Sequence, residues 1–80
     1  MPKLRSLSGT DVVKLLSRHG FSVTATRGSH AKLKRTAGGV SQTLTLPLHK
    51  ELATGTLFAI YRQCCRYVPE ESLRADFYKE

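Results

Sequence analysis

Three runs of alternating side chains, separated by two glycine-containing breaks, constrain the fold of this chain more than any other feature. The runs cover residues 21–27, 30–35 and 40–46. A period of two is typical of β-strands, and the breaks at Gly28-Ser29 and at Thr36 to Gly39 are short enough for hairpin turns. The pattern predicts a three-stranded antiparallel meander. It ends at Pro47, which lacks the N–H that a strand ladder needs.

A helix is predicted before the meander. Ser8 and Asp11 have the spacing of a capping box, and Gly20 is suited to a left-handed C-cap. Between them, apolar residues recur at helical spacing on one side, while Lys14 and Arg18 share another side. The first helix should therefore pack on one side and present basic groups on the other.

Two further helices are predicted after the meander. Apolar residues recur at helical spacing from Leu57 to Val68, with Thr54 or Gly55 as the cap, and Pro69 suits the first position of a short third helix. The order is α-β-β-β-α plus a short C-terminal helix, which predicts an α+β fold. Eighty residues cannot support two separate cores, so we expect one domain over residues 1–80.

The excess of positive charge lies in the first part of the chain. Residues up to Arg35 hold eight basic side chains and one acidic, and thus account for the whole net charge of +7. Such a distribution indicates a surface that faces a polyanion, and nucleic acid is the partner we expect. A basic surface that serves only solubility, or that binds anionic membranes, is the alternative.

Other classes of protein lack support in the sequence. We find no apolar stretch of the kind that a signal peptide or membrane span requires, so we expect a cytoplasmic protein. The neighbours Cys64 and Cys65 match neither a disulfide nor a metal-ligand spacing, and the carboxylates form no recognisable catalytic pair. We therefore expect no metal.

His30 is the residue that we predict to carry chemistry. The pleat of the second strand puts His30, Lys32 and Lys34 on one face and Ala31, Leu33 and Arg35 on the other. An imidazole there can take the proton from a ribose 2′-OH so that this oxygen attacks the adjacent phosphorus, while cations stabilise the developing charge. A histidine that only contacts a phosphate, or has no role, fits the same pattern.

The other candidate residues shape or extend this site. Gly28 and Ser29 form the turn, and Ser29 is also a candidate phosphate contact. His49 either supplies the second proton transfer or orders the loop after the last strand. The residues that we expect to bind RNA are Lys14, Arg18, Arg27, Gly28, Ser29, Lys32 and Lys34.

Three short motifs, Gly28-Ser29-His30, Pro47-Leu48-His49 and Gly55-Thr56-Leu57, resemble the HicA family of messenger-RNA-cleaving toxins. The resemblance runs from Ser8 to about Gln63. It implies a fold like that of double-stranded-RNA-binding domains, a catalytic histidine at His30 and no cofactor. It also implies a HicB-type antitoxin that blocks the His30 face, in an assembly that is either a homodimer or a hetero-oligomer with the antitoxin.

The second helix departs from the family pattern. Phe58 and Tyr61 occupy positions where the family usually has a basic and an aliphatic residue. The less buried side of this helix is formed by Phe58, Arg62, Cys65 and Arg66. This side either meets the antitoxin, a second copy or RNA, or is partly buried under the last helix.

The leading hypothesis is a metal-independent endoribonuclease toxin that acts on messenger RNA, with His30 as general base or acid. A non-catalytic RNA-binding module that uses the same basic surface is the main alternative. A protein–protein adaptor with incidental charge is the third, and it predicts RNA contacts that are weak and insensitive to salt.

Overall fold

The computed structural model describes residues 3–79, which form a three-stranded antiparallel sheet, three helices and a second, two-stranded sheet. In chain order the elements are β1 (Lys3–Leu4), α1 (Gly9–Ser17), β2 (Ser22–Arg27), β3 (His30–Ala37), β4 (Val40–Pro47), α2 (Thr54–Cys64), α3 (Glu70–Phe77) and β5 (Tyr78–Lys79). The larger sheet has the order β2-β3-β4. The predicted α+β class, with a central meander and a short C-terminal helix, is confirmed.

Both hairpins of the meander have two-residue turns. Arg27 pairs with His30 across Gly28-Ser29, and Gly28 has a φ of +58°. In the second hairpin Gly38 and Gly39 have φ values of +60° and +79°. Positive φ at the first or at both central residues is the sign pattern of type II′ and type I′ turns, which match the twist of the flanking strands.

One face of the sheet carries the hydrophobic core. Alternate residues of β3 and β4 are buried there, and the apolar sides of all three helices contribute to the same cluster. The buried sheet residues are Ala31, Leu33, Leu44 and Leu46. Since strand side chains alternate between faces, the residues between them point away from the helices. That other face is called the open face below.

Strand β2 forms an edge of the sheet and is exposed along its whole length. The predicted run begins at Phe21, which is buried, but the strand itself begins at Ser22 and includes Val23, which is 46% exposed. The pairing with β3 shifts register between Val23 and Ala25. A register shift of this kind is common at sheet edges, where it disrupts the ladder locally.

The ends of α1 follow the sequence signals. The Ser8 hydroxyl accepts a hydrogen bond from the Asp11 N–H, and the Asp11 carboxylate accepts one from the Ser8 N–H, each at 3.0 Å. At the other end Gly20 has a φ of +91°. The Gly20 N–H donates to the Ser17 carbonyl and the Phe21 N–H to the Leu16 carbonyl, as in a Schellman motif. Both predicted caps are therefore confirmed.

The predicted caps of the two later helices were wrong by one or two residues. Helix α2 has Ala53, not Thr54 or Gly55, as its N-cap, and Pro69 is the N-cap of α3 rather than its first residue. Neither cap residue makes a side-chain hydrogen bond. The carbonyls of Ala53 and Pro69 accept from Leu57 and Leu73, so the first turn of each helix forms without a side-chain cap.

Arg35 joins three elements on the core side of the sheet. Its guanidinium donates to the Gln42 side-chain oxygen on β4 at 2.8 Å, to the His19 carbonyl after α1 at 2.9 Å, and to the Tyr67 carbonyl after α2 at 2.6 Å. The Cζ atom also lies 4.9 Å from the centre of the Phe21 ring. This cation therefore stabilises the fold and does not face solvent with the other basic groups.

Strands β1 and β5 pair near the two ends of the described chain, a feature that the sequence did not predict. Lys3 lies opposite Lys79 and Leu4 opposite Tyr78, and the Arg5 N–H donates to the Phe77 carbonyl at 2.8 Å. None of the helices within residues 3–79 is long and apolar enough to cross a membrane.

Candidate nucleic-acid interface

The centre of the open face is a line of cationic and titratable side chains. His30, Lys32 and Lys34 are exposed on β3, while Ala31 and Leu33 between them are buried. The predicted separation of these five residues between the two faces is therefore present. As the central strand of the sheet, β3 presents this line between two flanking strands.

The register of the sheet determines the neighbours of each group. Arg27 of β2 and Pro47 of β4 lie opposite His30. Thr45 of β4 lies opposite Lys32, and Thr43 lies opposite Lys34. Hydroxyl groups therefore accompany the lysines on one side of the line, and a guanidinium accompanies the imidazole on the other.

A shallow groove surrounds His30. It is lined by Ala25, Thr26, Arg27, His30, Ala31, Lys32 and Thr45. No acidic side chain is among these residues, so a phosphate in the groove meets two permanent cations without a competing carboxylate. Thr45 was not among the predicted site residues, although the alternation of the third run places it on the same polar face.

The segment from Pro47 to His49 holds the turn that precedes His30. The Leu48 N–H donates to the Ser29 carbonyl, and the His49 carbonyl accepts from the Gly9 N–H at 2.9 Å. Gly9 approaches so closely that an added Cβ would lie 2.6 Å from the Leu48 Cα. The backbone of Leu48 and His49 thus links the turn to the start of α1, while the His49 side chain is exposed.

Lys14 and Arg18 lie in a different groove. They line it together with Arg5, Asp11 and α3 residues that include Asp76. The Arg18 guanidinium is 3.2 Å from an Asp76 carboxylate oxygen, and the His19 imidazole is 3.0 Å from the other. Because α1 packs on the core side of the sheet, the structure does not bring this basic group together with the open face. The basic residues of the first part of the chain are divided between separate surfaces.

The potential metal ligands of the described chain are dispersed. Within residues 3–79, no three side chains of the His, Cys, Asp and Glu types come together as a metal-binding group. Cys64 is buried, and burial raises the pKa of its thiol to about 12. Burial also raises the pKa of the half-buried Cys65 thiol. Both thiols are therefore protonated at neutral pH.

A family model described as the HicA toxin of bacterial toxin-antitoxin systems matches residues 9–64. The matched segment covers more than half of the chain and contains the open face, the 47–49 segment and α2. No curated protein and no solved structure matches the chain.

Proposed function

Because the chain belongs to the HicA family of bacterial toxins of toxin–antitoxin pairs, we propose that it is a ribonuclease whose reaction takes place at His30. Ribonuclease activity is general in this family. The observation that carries the proposal is the exposed imidazole of His30, which lies opposite Arg27 and two residues from Lys32 in a groove without carboxylates. This combination suits cleavage of a phosphodiester by the adjacent ribose hydroxyl.

In the proposed mechanism His30 takes the proton from the ribose 2′-OH. The 2′-oxygen attacks the neighbouring phosphorus, the bond to the 5′-oxygen breaks, and the products carry a 2′,3′-cyclic phosphate and a 5′-hydroxyl. Arg27 and Lys32 stabilise the negative charge that develops on the phosphoryl oxygens. The leaving oxygen takes a proton from His30 itself or from His49, whose segment contacts the same turn.

We propose a short stretch of single-stranded RNA, such as messenger RNA, as the substrate. Alternate residues of a strand are ~6.7 Å apart, so the line from His30 to Lys34 covers about 13 Å and a few successive phosphates. A double-stranded-RNA-binding domain instead spans about 16 base pairs across two minor grooves. The separation of Lys14 and Arg18 from the open face leaves no such long, continuous basic surface on β3.

Substitution of His30 tests the catalytic role. In the presence of a chelator, His30→Ala should reduce cleavage of a labelled single-stranded RNA by about 10²–10⁴-fold and leave RNA affinity within a few-fold of the parent. His49→Ala, compared in parallel, should cause a similar loss if His49 is the second proton carrier and a small one if His30 acts alone. Cleavage that survives His30→Ala would contradict the proposal, and a parent protein that binds RNA without cleaving it would identify a binding module.

The salt dependence of RNA binding tests the path of the strand. Each phosphate contact to single-stranded RNA contributes about −0.7 to the slope of log affinity against log salt concentration. Lys32→Ala and Lys34→Ala should each reduce the slope by about that amount. Lys14→Ala, which has the same charge change, addresses the sequence-based hypothesis that α1 extends the RNA path. An equal reduction for Lys14→Ala would support that hypothesis, and no reduction would restrict the path to the open face.

The antitoxin partner is also expected to act at this site. The family is defined by pairing with an antitoxin. We propose that the inhibitory part of the antitoxin presents acidic or hydrogen-bonding groups to Arg27 and Lys32 and covers His30. Addition of the antitoxin should then displace RNA from the open face in a competition assay.

A further inference from the structure

We propose that a second surface, on the outer side of α2, binds an acidic segment of the antitoxin that carries an apolar anchor side chain. The surface is a groove between α2, the start of α3 and β5. Its main residues are Phe58, Tyr61, Arg62, Arg66, Glu70 and Tyr78, and it is called the arginine–aromatic groove below. The proposal rests on membership of a toxin–antitoxin family and does not depend on the RNA chemistry of His30.

Exposed aromatic surface is the first observation. Phe58 is 43% exposed, so a large part of its ring is open to solvent. Its ring stacks at 6.4 Å on the ring of Tyr61, and the Arg62 guanidinium lies 6.0 Å from its centre. An exposed aromatic wall bordered by arginine is typical of the anchor positions of protein interfaces.

An excess of arginine over acidic side chains in the groove is the second observation. Arg62 and Arg66 line the groove, and Arg74 lies over the Tyr78 ring at 5.5 Å. None of the three makes an ion pair within residues 3–79, where the ion pairs involve Arg18 and His19. A partner segment that fits this charge is acidic.

The groove is suited to protein rather than RNA. The Glu70 carboxylate lines it and accepts a hydrogen bond from the Tyr61 hydroxyl at 2.8 Å. A phosphate chain carries a charge at every nucleotide and meets this carboxylate, whereas a peptide can place its carboxylates at Arg62 and Arg66 and an uncharged residue at Glu70. The cations of the groove are arginines, which are enriched with aromatic residues at protein interfaces, whereas lysine is depleted there. The open face, in contrast, uses Lys32 and Lys34.

The buried neighbours of the groove hold it in shape. Tyr61 is buried and makes edge contacts with the rings of Phe77 and Tyr78 at 5.2 and 5.3 Å. Burial, together with the Glu70 hydrogen bond, raises the pKa of the Tyr61 hydroxyl, which therefore stays a proton donor at neutral pH. A surface formed before binding loses little conformational entropy when a partner docks.

The test compares two pairs of substitutions with equal charge change. In the His30→Ala background, Arg62→Gln/Arg66→Gln removes two cations from the groove, and Lys14→Gln/Arg18→Gln removes two from α1. A third variant, Phe58→Ser, removes the exposed ring. Calorimetric titration with the purified antitoxin should show at least a 10-fold loss of affinity for the two groove variants and less than a 2-fold loss for the α1 variant. Circular dichroism verifies that each variant is folded.

Parallel measurements separate this proposal from its competitors. The groove variants should bind single-stranded RNA within 2-fold of the parent, and in the active background they should cleave it at the parental rate. Antitoxin affinity within 2-fold of the parent for both groove variants would overturn the proposal. A loss of RNA affinity would identify an RNA site instead, and a concentration-dependent dimer of the toxin that Phe58→Ser abolishes would identify a second copy as the occupant. Failure of RNA cleavage by the parent would leave the antitoxin titration unaffected.

Discussion

Replacement of Arg35 by methionine should remove a large part of the stability of this protein. Hydrogen bonds to charged groups contribute about 1.5–3 kcal/mol each, and Arg35 donates three. The side chain is half-buried, so water replaces some of these bonds when it is removed. We therefore expect a loss of about 2–4 kcal/mol in the free energy of unfolding, out of about 4–12 kcal/mol for a domain of this size.

The assay is urea denaturation followed by circular dichroism, in the His30→Ala background so that cleavage of cellular RNA does not limit expression. The melting temperature should fall by about 10–25 °C. Arg35→Lys keeps the charge but cannot reach three acceptors at once, so an intermediate loss is expected. Lys34→Met on the exposed side of the same strand is the matched control, with a change within about 0.5 kcal/mol. An Arg35→Met variant as stable as this control would refute the reasoning.

Three further predictions concern other parts of the fold. Gly9→Ala should lower the free energy of unfolding by about 1–3 kcal/mol, because the new Cβ meets the 47–49 segment. Gly55→Ala, whose Cβ has nothing within 4 Å, should raise it by about 0.5 kcal/mol. Equal effects of the two variants in urea unfolding would contradict this prediction. The pKa of Asp11 lies below its ordinary value of 3.8. The main cause is the hydrogen bond from the Ser8 backbone, and the Ser8 hydroxyl makes a smaller contribution. The stabilisation is thus complete above that value and lost as the pH falls through the folded pKa; Asp11→Asn should abolish this acid dependence in urea unfolding, and an unchanged profile would argue against it. Cys64 should react with iodoacetamide only on unfolding, as followed by mass spectrometry, and rapid labelling in the native state would be inconsistent with its burial.

Local patterns predicted the parts of the fold that local physics determines. The capping box of Ser8 and Asp11 involves residues three apart, and the alternation along β3 follows from the pleat of one strand. The glycine turns likewise depend on two residues each, although the predicted second break was too long: Thr36 and Ala37 belong to β3, and the turn is Gly38-Gly39 alone. These features could therefore be predicted from the sequence without knowledge of any tertiary contact.

Features that depend on distant partners were not predictable in the same way. Strands β1 and β5 have two residues each, too few for any periodicity, and Lys3 meets Lys79 from the opposite part of the chain. The N-caps at Ala53 and Pro69 have no capping side chain, so the usual residue preferences give no signal for them.

The candidate site, too, has features that local patterns predict and features that depend on distant partners. Periodicity placed His30 and Lys32 on one face of β3. It does not specify how that face is oriented relative to the exposed sides of the helices. Arg18 shares a helix side with Lys14, as expected, yet its carboxylate partner comes from Asp76 on α3. The relation between the basic side of α1 and the open face required the packing of the whole core.

The pairing of β1 with β5 has a consequence for chain connectivity. Since Lys3 and Lys79 are neighbours, the polypeptide path of the described residues is nearly a closed ring. A ring can be opened elsewhere, and the turn at Gly38-Gly39 is exposed, with open space around both glycines. A permuted chain that is cut there and has a short linker between Lys3 and Lys79 would keep Arg27 and His30 on one uninterrupted hairpin. The order in which the elements are synthesised could then be changed without changing the groove around His30.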